Sequence, residues 1–141
     1  MTAESEAAVT EGVVYTDGAA RGNPGPAGAG AFFEIGDRTM GFQKYLGRAT
    51  NNQAEYQALL LALEKAEGLG IKELRAFADS ELMVKQIKGE YCVKNEGLKP
   101  LFREAKERIQ AFDSFEISHV RREKNTEADR LANAAIDDYN L

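Results

Sequence analysis

Cysteine occurs once, at Cys92, so no disulfide framework can form, and the paired-cysteine spacings of zinc sites are absent. A lone thiol suits a reducing compartment. Tryptophan is missing, and histidine is confined to His119. No apolar run reaches membrane-spanning length. Residues 1–11, MTAESEAAVTE, lack the basic start and apolar centre of a secretory signal. Repeats and low-complexity segments are also lacking. These absences predict a cytoplasmic protein without membrane attachment, with a disordered acidic leader over residues 1–11 and one domain over 12–141.

A basic surplus is missing as well. The net charge of −5 argues at first sight against a nucleic-acid partner, whose affinity rests largely on positive charge. Position qualifies the sum. Of the 23 acids, Glu4, Glu6 and Glu11 fall in the leader, leaving 20 against 18 basic residues in the domain. If four of those bind cations, the balance turns slightly positive.

What is present is enough apolar material, 43% of 141 residues, for a single core. The most distinctive stretch is YTDGAARGNPGPAG, residues 15–28. It reads as the end of a strand, one carboxylate at Asp17, and a glycine- and proline-rich loop over 18–28 that exposes mainly backbone. An acid before bare backbone suggests a grip on something rich in phosphate.

Around that stretch the pattern predicts a first strand over 13–17, a second over 29–35 and a third over 39–46, joined by a Gly-Asp turn. Helical periodicity begins at Asn51, with Ala58, Leu59, Ala62, Leu63 and Ala66 on one stripe and glycines closing the helix at 68–70. A strand over 73–78, a short helix to about residue 88, a helix over 98–112, a strand over 115–120 and a helix over 126–139 complete the order βββαβααβα. An opening meander followed by alternation implies an α/β fold with a mixed sheet and helices on both faces.

Four carboxylates stand at element boundaries: Asp17, Glu55, Asp79 and Asp129. Three of them have a plain alternative. Asn52 to Glu55 and Thr126 to Asp129 fit a capping box or its near relative, and Asp79 fits an N-cap. Against capping, Glu55 lies on the apolar stripe of its helix, and Asp17 shares a strand face with Val13 and Tyr15. Inward-facing carboxylates need a cation or hydrogen bonds. Strands one and four, side by side and both ending in Asp, would bring acids together as oxygen ligands for magnesium. A pair of such ions can drive in-line attack of water on a phosphodiester.

The phrases YTDGAARGNPGPAGAG, RATNNQAEYQALLLAL, FADSELMVKQI and HVRREKNTEADRLANAA, spread in order over residues 12–137, resemble the type 1 ribonucleases H, which cut the RNA strand of RNA–DNA hybrids. The resemblance implies the ribonuclease H-like five-stranded mixed sheet, with its second strand antiparallel. It implies that Asp17, Glu55, Asp79 and Asp129 hold two Mg²⁺ ions, which Mn²⁺ can replace, and that cleavage leaves 5′-phosphate and 3′-hydroxyl ends. His119, ten residues before Asp129, resembles the family's mobile catalytic histidine. Arg48, Thr50, Asn51, Asn52 and Asn95 match positions that grip the DNA strand. Gly18, Ala19 and Asn23 lie in the segment that would contact ribose 2′-hydroxyls.

Residues 89–97 are short and lack Trp, so the chain resembles the compact archaeal-like branch without a basic protrusion. Position 81 is Glu, where many relatives carry a polar amide. A monomer acting on RNA–DNA hybrid is expected. The rival reading is a non-catalytic RNA- or hybrid-binding module of the same fold, against which the intact acidic quartet argues. A phosphate-cradle nucleotide-binding protein fails, because the glycine-rich stretch has no Gly-Lys-Ser/Thr ending and leads into a strand.

Overall fold

A computed structural model describes residues 10–139 of the chain. Its elements are β1 (Glu11–Ala20), β2 (Gly25–Ile35), β3 (Arg38–Ala49), α1 (Asn51–Gly68), β4 (Glu73–Ala78), α2 (Glu81–Ile87), α3 (Lys99–Ile109), β5 (Ser114–His119) and α4 (Thr126–Tyr139). A single 3₁₀ turn, Arg122–Lys124, precedes α4. The expected order is therefore observed. Of the expected leader, residues 1–9 lie outside the described residues, and Glu11 already opens β1.

The five strands form one sheet in the order β3-β2-β1-β4-β5. Pairing of β2 with both β1 and β3 is antiparallel, whereas β4 pairs parallel with β1 and with β5. Helices α1 and α4 lie on opposite faces. On one face, Val14, Ala29, Ala31, Phe33, Ala76 and Ala78 close against α1, whose Leu59, Ala62, Leu63 and Ala66 are buried. The stripe is wider than its period implied. Leu60 and Leu61 are also buried, because α3 covers α1 from outside.

The glycine-rich stretch differs most from expectation. Residues 18–28 are not a loop: β1 continues to Ala20, β2 starts at Gly25, and Ala19 pairs with Gly28. Only residues 21–24 turn, with the Arg21 N–H donating to the Pro26 carbonyl at 2.8 Å. Several of the glycines mark places where helices sit against strands. A Cβ at Gly18 would collide with the Ala54 carbonyl of α1, and one at Gly28 or Gly30 with the Ala132 or Ala128 carbonyl of α4.

Capping also falls on other residues than expected. Thr50 caps α1: its Oγ1 accepts from the Gln53 N–H at 3.1 Å, and Gln53 Oε1 accepts from the Thr50 N–H at 2.9 Å. Ser80, not Asp79, caps α2 through its hydroxyl and the Met83 N–H at 3.2 Å. The backbone N–H of Asp129 bonds the Asn125 carbonyl at 3.1 Å, and no side-chain cap is formed by its carboxylate. Glu55, Asp79 and Asp129 are thus left for other work.

Candidate active site

The site is assembled by strand register. In the parallel ladder Thr16 pairs with Ala78, so the next residues, Asp17 and Asp79, stand side by side at the ends of adjacent strands. Across the antiparallel ladder Asp17 pairs with Gly30, which lies under α4, and this directs Asp17 towards the helix carrying Asp129. Glu55 arrives from the other face. With no side chain at Gly18, the first turn of α1 settles onto β1, and the Gly18 N–H donates to the Glu55 carboxylate.

Carboxylate oxygens of Asp17, Glu55 and Asp79 lie within 4.8 Å of one another. Asp17 also reaches Asp129, with which its carboxyl shares a hydrogen bond. All four line one open cleft of about 510 Å³. Such crowding changes their chemistry. Burial, then the charges of Glu55 and Asp79 and the hydrogen bond with Asp129, push Asp17 up to about 10. Burial and the charge of Asp79 push Glu55 up to about 8, against lowering by the hydrogen bonds from Asp17 and Gly18 and by the cation of Arg122.

The donor set fits a hard divalent cation. The clustered donors of Asp17, Glu55 and Asp79 are all carboxylate oxygens, the preference of Mg²⁺ and its relatives. Glu55 Oε1 is buried without a hydrogen-bond partner among the described residues, an expense that a bound cation removes. A bound cation would take over the neutralisation that protons otherwise supply.

The remaining expected residues divide. Arg48, Thr50, Asn51 and Asn52 cluster where β3 passes into α1, with Arg48, Asn51 and Asn52 exposed. Asn95 is exposed beside them: a Cβ on Gly97 would lie 3.1 Å from Asn95 Oδ1 and 3.2 Å from Gln53 Nε2. Asn95 Oδ1 accepts from the Gly97 N–H at 2.8 Å. Gly18, Ala19 and Asn51 border the acidic cleft. Asn23 has a structural task, its Oδ1 accepting from the Asn51 N–H at 3.0 Å and tying the β1–β2 turn to α1. His119 is exposed at the end of edge strand β5, level with Ala78 and outside the cleft lining. Its charge acts instead on Glu81, whose carboxyl is held down first by Lys85 and least by His119.

Two cleft residues lie outside every segment to which the sequence points for a site role, Arg122 and Asn133. Asn133 stands one helical turn after Asp129, a spacing that could have drawn attention to it. Arg122 lies in the charged segment before α4, where a cation facing four acids was there to be weighed.

Residues 15–135 match the family described as reverse transcriptase-like. The chain is 44% identical over 126 residues to a ribonuclease HI of Halobacterium salinarum, covering 88% of this chain and 63% of that protein. It is 41% identical over 128 residues to the bifunctional protein Rv2228c of Mycobacterium tuberculosis, covering 89% of this chain but 35% of the relative. The chain thus spans less than two thirds of these curated relatives. Among solved structures, RNase H1 from Halobacterium salinarum NRC-1 matches with a TM-score of 0.88 at 42% identity, over 91% of this chain and 98% of that one. LC11-RNase H1, solved in complex with RNA/DNA hybrid, matches with a TM-score of 0.87 at 39% identity, over 92% and 99%.

Proposed function

Because the chain belongs to the type 1 ribonuclease H family, we propose that it is an endonuclease that hydrolyses the RNA strand of RNA–DNA hybrids, leaving 5′-phosphate and 3′-hydroxyl ends. The observation that carries this reading is the convergence of three carboxylates within 4.8 Å, one of them with a buried, unpartnered oxygen.

Asp17, Glu55, Asp79 and Asp129 would hold two Mg²⁺ ions, with Mn²⁺ as a substitute. When bound, such a pair supplies an acidified water and charge stabilisation for the leaving 3′-oxygen. The chain's own residues do the rest. Arg48 offers a cation, and Thr50, Asn51 and Asn52 offer polar side chains at the start of α1, to a DNA phosphate, and Asn95 extends the same contact line. Gly18 and Ala19 expose backbone at the cleft edge, where a ribose 2′-hydroxyl distinguishes RNA from DNA. Asn23 acts there by fixing the turn to α1. Arg122 places a positive charge at the scissile phosphate, and His119, from the rim, assists product release.

Cleavage of a labelled hybrid in Mg²⁺ tests the reading, with single-stranded RNA, duplex RNA and a lone ribonucleotide in DNA alongside. Hybrid-selective cutting that stops in EDTA and in Asp17→Asn is expected. Binding of hybrid without cleavage at any metal concentration would establish the non-catalytic module instead. Sizing by light scattering tests the further expectation of a monomer.

A further inference from the structure

Asn133 sits between two groups that leave its amide a single orientation. On one side is the guanidinium of Arg21, which can only donate: Arg21 Nη2 donates to Asn133 Oδ1 at 3.2 Å. On the other side are oxygens of Asp129, which accept: Asn133 Nδ2 donates to the Asp129 carbonyl at 3.0 Å and to Asp129 Oδ1 at 3.3 Å. The amide is half-buried and borders the acidic cleft. Arg21 is itself anchored, its Nη1 paired with Asp137 Oδ1 at 2.6 Å, one turn beyond Asn133 on α4.

Asp129 needs such help more than Asp17 or Glu55 does. Glu55 takes the Gly18 N–H, and Asp17 is buried among neighbours, whereas Asp129 is half-exposed on the first turn of α4. A half-exposed carboxylate on a two-torsion side chain samples several rotamers unless something holds it. Groups that orient the ligands of a metal are commonly worth 10–100-fold in metal affinity or activity.

We propose that Asn133 is a positioning residue for Asp129, its amide N–H holding the carboxylate turned towards Asp17 while Arg21 fixes the amide from behind. The role rests on the nuclease reading for its effect on cleavage. Its effect on metal binding does not depend on that reading.

Two variants separate positioning from structure. Asn133→Ala removes both sets of hydrogen bonds. Asn133→Asp keeps an acceptor for Arg21, now charged, but loses the N–H that serves Asp129. Three quantities are read: Mn²⁺ affinity by calorimetry without nucleic acid, kcat and KM on hybrid, and the metal-free melting temperature. Positioning predicts that Asn133→Ala binds Mn²⁺ about 10-fold more weakly and loses about 10-fold in kcat, with KM within twofold. It also predicts that Asn133→Asp has a kcat no higher than that of Asn133→Ala.

Wild-type kcat in Asn133→Asp would show that only the Arg21 link matters and would overturn the proposal. So would unchanged Mn²⁺ affinity in Asn133→Ala, or losses that merely track a lowered melting temperature. Wild-type protein that binds Mn²⁺ yet leaves hybrid intact overturns the nuclease reading, and the Mn²⁺ comparison then decides on Asn133 alone.

Discussion

Thr16 and Ala78 are partners in the parallel ladder between β1 and β4, and that pairing alone sets Asp17 beside Asp79. Two like charges side by side strain the metal-free protein, and Glu55 adds a third.

The strain has a definite pH dependence. Asp17 is raised from 3.8 to about 10 and Glu55 from 4.5 to about 8, so the folded state holds more protons than the unfolded one between these limits. Stability from these groups is full below about pH 4 and is lost as pH rises towards 8 to 10. Asp17→Asn or Asp79→Asn is therefore expected to abolish cleavage while leaving the protein in EDTA at pH 8 as stable or more so. A rise in melting temperature of roughly 2–5 °C corresponds to about 1 kcal/mol in a domain of this size. Thermal melts across pH 5–9 test this, and a loss of about 1 kcal/mol or more in both variants would return the acids to a structural role.

Metal must displace those protons. Mg²⁺ affinity is expected to rise from pH 6 to pH 8, with proton release on binding. Calorimetry in two buffers of different ionisation enthalpy counts the protons released. Identical heats in both would mean that the cluster is already ionised.

Gly18→Ala should act on both stability and site. The added Cβ meets the Ala54 carbonyl and the Glu55 N–H, which are backbone and cannot swing aside. Overpacking of this kind costs about 1–3 kcal/mol. Urea denaturation gives the cost, and kcat should fall by more than the fraction unfolded explains, because Glu55 is moved from Asp17.

Thr50→Ala removes the cap of α1 and is expected to cost about 1 kcal/mol, with Thr50→Ser close to wild type. If the start of α1 also holds a DNA phosphate, KM for hybrid rises in Thr50→Ala with kcat little changed. Unchanged KM would remove Thr50 from the nucleic-acid contact.

Arg122 lines the acidic cleft and His119 does not. Arg122→Ala is expected to lower kcat by at least 10-fold, and His119→Ala by less. Single-turnover cleavage compared with steady state separates chemistry from product release; a larger single-turnover defect in His119→Ala would reverse the ranking.

The helices were readable because a 3.6-residue apolar period announces itself: α1 begins at Asn51 and α4 spans Thr126–Tyr139, as periodicity indicated. The four acids were readable from their places at element ends. The glycine stretch misled, since composition does not distinguish a loop glycine from one kept bare for a packed helix, as at Gly18, Gly28 and Gly30. Caps misled for a related reason: Thr50 and Ser80 stand beside acids that cap equally well on paper, and only geometry chooses between them. Arg21 and Asn133 meet across 112 positions, a proximity no local pattern carries.

The turn at residues 21–24 is fastened at both ends, Asn23 to the first residue of α1 and Arg21 to the last half of α4. Those two helices carry Glu55 and Asp129. The turn is therefore a yoke between the two helices, with Arg21 at the border of the cleft. On the nuclease reading, a load that hybrid placed on the turn would reach the helices of both acids at once. Substitutions at Arg21 or Asn23 are therefore expected to disturb the seating of a helix that carries one of the acids, which would couple recognition at this turn to the chemistry.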